Sequence, residues 1–360
     1  MTIRNLPDYV DGGGRRQVWR PPYRARKAQL LGMVVKADRT AIDTLLDRDL
    51  NAPAGGAVEY RCAHRNIIVM LADIVEMRST DPLDSQRGFL AERELSIWCL
   101  AADRNAGERL VCYLPYIFTD SGQTVSTGRE VYGYPKELGF FDGGFPDVFT
   151  PAGATTKINA LAIEKFGCAA KAVPRTMVSI TRKAGPGSPP VPAEGTPREE
   201  VLRNLFPGDF SIDDDRGFEV NPKPPPSATI TVGGAPPPAR PAPPPPYVRP
   251  VIELRRSSPL NADPDTLATQ LAQSPTLVFL KQFRDICCPT KACYQAIIES
   301  TIPINPAGAT FVPLDPALFS LTVSNYDSQP IATELDGMEV RAGASPHVIV
   351  GCRAGVGPGR

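Results

Sequence analysis

Apolar residues along this chain fall in short runs rather than in long helical stripes. The runs "AQLLGMVVKAD" (28–38), "RNIIVMLADIVEM" (65–77), "ELSIWCLAA" (94–102), "KINALAIEKFG" (157–167) and "RTMVSITRK" (175–183) are β-prone, and Gly, Pro, Asp and Asn divide them. "PTLVFLKQFRDI" and "CYQAIIESTIP" continue the pattern further on. Helical signals are few. Asp38 is placed to cap "RTAIDTLLDRDL", with Ile42, Leu45 and Leu46 on one face. A second helix is expected near "NADPDTLATQLAQ", and a third over "TPREEVLRNLF", where Thr196 caps and Pro197 takes the first helical position. Strands and helices do not alternate in the βαβ manner, which argues against a parallel nucleotide-binding sheet. The expectation is an α+β fold, mainly antiparallel β, with a closed barrel or sheet core and a few peripheral helices.

Proline changes this picture in one place. Of the 40 prolines, 19 fall within residues 185–250, in stretches such as "NPKPPPS" and "APPPARPAPPPPYVRP". Such a segment lacks backbone donors and has its φ angles fixed, so it reads as an extended, polyproline-like insertion. Its expected place is in solvent or on a neighbouring subunit, with a ligand for a proline-binding domain as the alternative. The resulting division is an N-terminal arm (1–24), one β domain (25–184 and 251–345), the insertion (185–250) and a C-terminal tail (346–360).

Composition narrows the choice of partner. With 360 residues and 42% hydrophobic content, the chain can bury a sizeable core. Lys plus Arg equals Asp plus Glu at 39 each, so no net field draws in nucleic acid or an anionic membrane. A small molecule or a protein is the expected partner. The N-terminus has no apolar core of a leader, and no apolar run reaches the ~18 residues of a membrane span, which predicts a cytoplasmic location.

Several chemistries drop out. The eight cysteines are irregularly spaced among apolar neighbours and are expected to be reduced and packed, the group Cys287, Cys288 and Cys293 included. His64 and His347 stand far apart in ordinary surroundings, with no G-x-S-x-G beside a candidate serine. Phosphate-binding glycine loops and metal-ligand spacings are lacking, so neither a metal nor another cofactor is expected.

One stretch stands out: "GREVYGYPKELGFF", Gly128–Phe141, holds Lys136 among aromatic, glycine and apolar residues. At neutral pH an ordinary lysine is an uncharged nucleophile in about one molecule in ~2,500. Burial among Tyr132, Tyr134, Pro135, Leu138, Phe140 and Phe141 would favour the neutral amine, and a fall of roughly 4 pKa units is within reach of deep burial.

The run "GREVYGYPKELG" resembles the signature of the acetoacetate decarboxylase family. "GFLAERELSIW" resembles that family's strand bearing an active-site glutamate, and "LVFLKQFRDICCPTKACYQAIIES" its paired C-terminal strands. The likeness spans roughly residues 25–340, interrupted by the insertion. It implies an acetoacetate decarboxylase-like core in which Lys136 is a Schiff-base nucleophile and Glu92 the active-site carboxylate. Glu94 shares the face of Glu92 and is the second candidate. The resemblance also implies an arginine for the substrate carboxylate, with Arg24 and Arg26 as candidates, and a homo-oligomer. Arg129, Glu130 and Tyr134 belong to the motif, the first two to hold the turn or to touch substrate. Glu137 stands where the family commonly has a second lysine, but adjacent residues of an extended segment point to opposite sides.

Three readings follow. Lys136 forms an imine with a β-keto acid and the iminium accepts the electrons released as CO2 leaves. Alternatively, the same imine serves aldol condensation, cleavage or dehydration of a keto acid without loss of CO2. The third is a binding protein on the same fold, for which a lysine that stays firmly charged would be the mark.

Overall fold

The computed structural model describes residues 9–10, 18–107, 109–144, 153–183, 275–284, 289–301, 309–314, 319–335 and 348–354. The Pro-rich insertion, the helices expected over 196–206 and 261–273, Cys287, Cys288 and His347 lie outside the described residues.

The strands are β1 (Tyr23–Lys36), β2 (Tyr60–Ser79), β3 (Leu90–Asp103), β4 (Arg109–Thr119), β5 (Lys136–Asp142), β6 (Thr155–Ala162), β7 (Val173–Arg182), β8 (Thr276–Arg284), β9 (Ala292–Thr301), β10 (Ala309–Leu314), β11 (Phe319–Val323) and β12 (Val348–Ala354). They form one 12-stranded sheet in the order β10-β12-β1-β2-β3-β4-β5-β6-β7-β11, and the hairpin β8-β9 branches from β4. Pairing is antiparallel except where β4 meets β5 and β8. The architecture is thus the expected mainly antiparallel sheet core with few helices. Residues 348–354, expected in a peripheral tail, are a strand paired with β1 and β10.

The sheet is buried on both faces, and strict alternation separates them. Leu31, Met33 and Val35 of β1, Ile67, Val69 and Leu71 of β2, and Leu95, Ile97 and Cys99 of β3 face the larger core. Helix α1 (Arg39–Leu46) covers that side with Ile42, Leu45 and Leu46, and a π-helical turn (Asp47–Asn51) leads from it into α2 (Ala52–Ala54). The intervening positions Val34, Ile68, Leu100, Cys112 and Ile117 join Leu277 and Phe279 in a smaller cluster on the other face, where Met70, Trp98 and Tyr134 pack half-buried.

β4 governs what happens on that second face. Its first half pairs with β8 at Cys112 and Tyr113, and its last residues, Ile117 to Thr119, pair with β5. Pro115, which has no N–H for a ladder, falls between the two zones, where the pairing with β3 also shifts register. The chain then returns to run parallel to β4 through α3 (Gly122–Thr127), capped by Ser121, and a π-helical turn over Gly128–Tyr132. This parallel crossover departs from the expected absence of strand-helix-strand units. A parallel pair needs a crossover, and here the motif that contains Lys136 supplies it.

Not every cysteine is packed as expected. Cys62, Cys99 and Cys112 are buried, but Cys168 and Cys293 are exposed. Among the described residues no helix is long and apolar enough to cross a membrane.

The side chain of Asp38 accepts from the N–H of Ala41 at 2.9 Å, the capping bond expected for α1. Asp38→Ala should lower the unfolding free energy by about 1 kcal/mol, and Ile42→Ala by about 2–5 kcal/mol, each read as a lower urea midpoint at unchanged slope.

Candidate active site

Lys136 opens β5 opposite Ile117 of β4, and residues opposed in a ladder share a face. Its side chain therefore enters the second face, where β3 presents Glu92, Glu94, Ser96 and Trp98 at two-residue intervals. Lys136 is 5% exposed, and its ammonium lies 3.0 Å from Glu92 Oε2 and 2.7 Å from Glu94 Oε2.

Each carboxylate has a second set of partners. Thr119, the last residue of β4, donates to Glu92 Oε2 at 3.0 Å and lies 3.0 Å from the hydroxyl of Thr124 of α3, which also lowers the pKa of Glu92. Ser96 bonds Glu94, and Trp98 Nε1 donates to Ser96 Oγ at 2.9 Å.

Burial and pairing oppose one another here. Burial favours a neutral Lys136, but Glu94 and Glu92 together outweigh it and the ammonium is held above the usual lysine range. Burial likewise favours protonation of Glu92, but Lys136 and the hydroxyls of Thr124 and Thr119 hold it below the usual carboxylate range. For Glu94 burial prevails, aided by the charge of Glu92, and its pKa is raised.

This corrects the apolar cage expected around the lysine. Leu138 and Phe140 are 43% and 46% exposed, because β4 ends opposite Leu138 and β5 runs on past the covered part of the sheet. The immediate surroundings of the amine are carboxylates and hydroxyls. Glu137 turns to the other side, where it is exposed and lies 3.6 Å from Arg129.

Glycine makes room for the lysine. A Cβ on Gly128 would lie 2.9 Å from Cδ of Lys136, so the aliphatic stem passes where any larger residue would stand. Gly133, at φ +78°, ends the π-helical turn with its Cα face against the backbone of Lys281, which a Cβ would meet at 2.7 Å. Lys281 Nζ donates to the carbonyl of Val131 at 3.2 Å and braces the same turn.

The other residues singled out in the sequence separate into two groups. Arg129 donates from Nη1 to the backbone oxygen of Lys136 at 3.0 Å and holds the strand rather than facing the amine. Tyr134 packs against Phe279 at 4.3 Å and stacks on Tyr132 at 4.9 Å, and Tyr132 in turn meets Tyr23 edge-on at 6.0 Å. Arg24 and Arg26, by contrast, are exposed on β1. They lie across from Arg78 and Glu76 of β2, further along the ladder in which Ala28 and Leu30 oppose Ile74 and Ala72, the β2 partners of Glu92 and Glu94; Lys27, at φ 53°, interrupts the strand between them and that part of β1.

No protein-family model and no curated protein matches this chain. Among solved structures, it is similar to one described in structural studies of acetoacetate decarboxylase, at TM-score 0.49 and 11% identity over 94% of this chain and 88% of that one. It is also similar to acetoacetate decarboxylase from Legionella pneumophila, at TM-score 0.48 and 10% identity over 99% and 96% of the two chains. A third is the enduracididine biosynthesis enzyme MppR complexed with the condensation product of pyruvate and imidazole 4-carboxaldehyde, at TM-score 0.44 and 11% identity over 95% and 88%.

Thr119, Thr124, Ser96 and Trp98 were not singled out from the sequence. Ser96 and Trp98 had a signal, since they continue the period-two series begun by Glu92 and Glu94. Thr119 and Thr124 had none, because the first is placed by the β3–β4 register and the second by the crossover helix α3.

Removing the amine leaves two buried carboxyls without their cation. Lys136→Ala should destabilise the protein by about 3–5 kcal/mol near neutral pH. The deficit should shrink as pH falls towards about 5, because without Lys136 the folded-state pKa values of both carboxyls rise above their unfolded values and protonation then favours the fold. Urea unfolding of both proteins at the two pH values checks this.

Proposed function

We propose that this chain is a lysine Schiff-base enzyme of the acetoacetate decarboxylase type, a carbon–carbon lyase that decarboxylates a β-keto acid. The observation that carries the reading is a buried primary amine, set in the motif "GREVYGYPK", with two carboxylates at 2.7 and 3.0 Å. Neutral Lys136 attacks the ketone and loses water to give an iminium. That iminium draws in the electron pair as the substrate's carboxylate departs, and the resulting enamine takes up a proton and is hydrolysed to a ketone. Glu92, held ionised by Lys136 and its threonine hydroxyls, is the fixed counter-charge to the iminium.

The surroundings suit loss of CO2. A substrate carboxylate next to Glu92 and Glu94 is raised in free energy by like charges, and leaving as a neutral molecule relieves that repulsion. Arg129 and Tyr134 would shape the site without reacting. Arg24 and Arg26, exposed on β1, are the candidates for recognition of the substrate carboxylate. The family resemblance is the ground for proposing a cytoplasmic homo-oligomer that needs no cofactor.

Aldol-type chemistry or dehydration of a keto acid is favoured by one observation. Two carboxyls with pKa values pushed apart are what paired proton transfers need. The binding-protein reading rests on the stabilised ammonium of Lys136.

Reduction with borohydride in the presence of acetoacetate or pyruvate, followed by digestion and mass spectrometry, separates the three. The expected result is an adduct on the Lys136 peptide that Lys136→Arg abolishes, since a guanidinium stays charged. An acetoacetate-derived adduct that has lost CO2 identifies the decarboxylase, and one that retains its carboxyl favours the aldol or dehydration reading. A folded protein that gives no adduct is a binding protein.

A further inference from the structure

The two carboxylates beside Lys136 are not equivalent. Glu92 Oε2 receives the hydroxyl hydrogen of Thr119, which Thr124 backs, and its side chain is 3% exposed. Glu94 is closer to the amine, at 2.7 Å, and its side chain is 17% exposed. Its other partner is Ser96, whose oxygen already accepts the indole N–H of Trp98. Indole is a donor only, so Ser96 is left with its own hydrogen directed at Glu94. Residues 94, 96 and 98 thus form a hydrogen-bonded row along one face of β3, ending on the amine.

We infer that Glu94, oriented by Ser96 and Trp98, is the proton carrier of the Lys136 site. It takes the ammonium proton to release the nucleophilic amine and returns that proton to the oxygen that leaves as water. This inference rests on the Schiff-base reading above and extends it.

The steps balance. The Lys136 ammonium passes one proton to the Glu94 carboxylate, and the charge of the cluster is unchanged. The nitrogen lone pair then forms a bond to the carbonyl carbon, and the proton on nitrogen moves to the former carbonyl oxygen, giving a neutral carbinolamine. Glu94 protonates the hydroxyl, the C–O pair leaves with water, and the remaining nitrogen lone pair closes the C=N⁺ bond. Glu94 ends as a carboxylate beside the iminium. In the closing hydrolysis it takes a proton from the attacking water.

Two physical points favour Glu94 over Glu92 for this task. A carboxylate held by the Thr119 hydroxyl and the Lys136 ammonium resists protonation, whereas Glu94 is the more basic of the pair because it is buried near another negative charge. Glu94 is also the more open of the two, as a group that reaches substrate oxygen must be. Ser96 and Trp98 are positioning residues, since they act only through Glu94.

The consequence is a distinctive pH dependence. Moving a proton within the cluster leaves its proton count unchanged, so the reactive fraction does not depend on pH while the cluster keeps that proton. The initial rate of cyanoborohydride-trapped adduct formation with acetoacetate, measured on the full chain from about pH 6 to about pH 9, should be nearly flat for the natural protein. Glu94→Gln should trap about 100-fold more slowly near pH 7, with a rate that climbs about tenfold per pH unit, because the amine must then lose its proton to solvent. Ser96→Ala keeps the carboxyl and should retain the flat profile at a rate lowered by about tenfold.

Glu94→Gln that traps as fast as the natural protein or faster, together with a natural-protein rate that itself climbs tenfold per pH unit, would make Glu94 a counter-ion only and overturn the inference. If Glu94→Gln fails to fold, a natural-protein or Ser96→Ala rate that climbs with pH in that way overturns it equally. Absence of any adduct on Lys136 of the natural protein defeats the Schiff-base reading itself, a different result from a slow variant beside a reactive parent.

Discussion

The ion pair between the buried ammonium of Lys136 and the carboxylates of Glu92 and Glu94 sets conditions that every neighbouring element meets. A charged lysine 5% exposed needs compensating charge, and each compensating carboxylate needs further donors. β3 meets the first condition by placing acidic residues two apart on one face. β4 meets the second by ending on Thr119 at the level where Glu92 lies. The crossover α3 brings Thr124 to the same point, and Gly128 leaves a path for the lysine stem. A shift of one residue in the β4–β5 register would turn Lys136 to the opposite face and leave both carboxyls unpaired.

The same pair decides how the lysine reacts. An apolar cage would make the amine nucleophilic by desolvation alone, and in this chain desolvation is the largest single influence on Lys136, yet the two carboxylates outweigh it. Stabilising the ammonium depletes the free amine in proportion, so the pair would silence the lysine if it only stored charge. A carboxylate at 2.7 Å is also a proton acceptor within hydrogen-bond reach. On the proposed reading the arrangement trades a low pKa for an internal base, and the two designs call for opposite chemistry at the residues around the amine. Tyr134, Phe279 and Tyr132 form an apolar wall on one side, and the polar row on β3 lies on the other.

What could be read from the sequence follows from how local each signal is. The β-rich character, α1 and its Asp38 cap rest on residues within one element, and the structure has them in place. Lys136 is legible from its motif, and Glu92 and Glu94 from a resemblance and strand periodicity. Glu137 points away from the amine for the simple reason that neighbours in a strand do. The apolar cage failed as an expectation because sequence neighbours of a lysine on a strand are not its spatial neighbours. Leu138 lies at the end of β4 and Phe140 beyond it, a fact fixed by strand length and register across the sheet. Arg24 and Arg26 are exposed on β1, and the choice between them turns on contacts such as that of Tyr23 with Tyr132, residues more than a hundred positions apart.

The hairpin β8-β9 closes the remaining side of the site, and its anchoring is ionic as well. Only Leu277 and Val278 pair with β4, which is a short ladder for an element that places Phe279 on Tyr134 and Lys281 against Gly133. A second buried network supplements it: Arg109 of β4 bridges Asp103 of β3 and Glu299 of β9, and Tyr60 of β2 donates to Glu299 at 2.9 Å. Four strands thus converge on one guanidinium, whose Nε is buried without a hydrogen-bond partner. An apolar contact at that point would hold the hairpin without fixing its register, whereas a guanidinium between two carboxylates accepts only one alignment of β9 against β4. The neighbour of Glu299 in β9 is Ser300, the side-chain partner of Tyr134, so the alignment enforced by Arg109 is transmitted to the aromatic wall beside Lys136. The reactive pair and the structural network are therefore the two charged fixtures on which the geometry of the site depends, one at each end of β4.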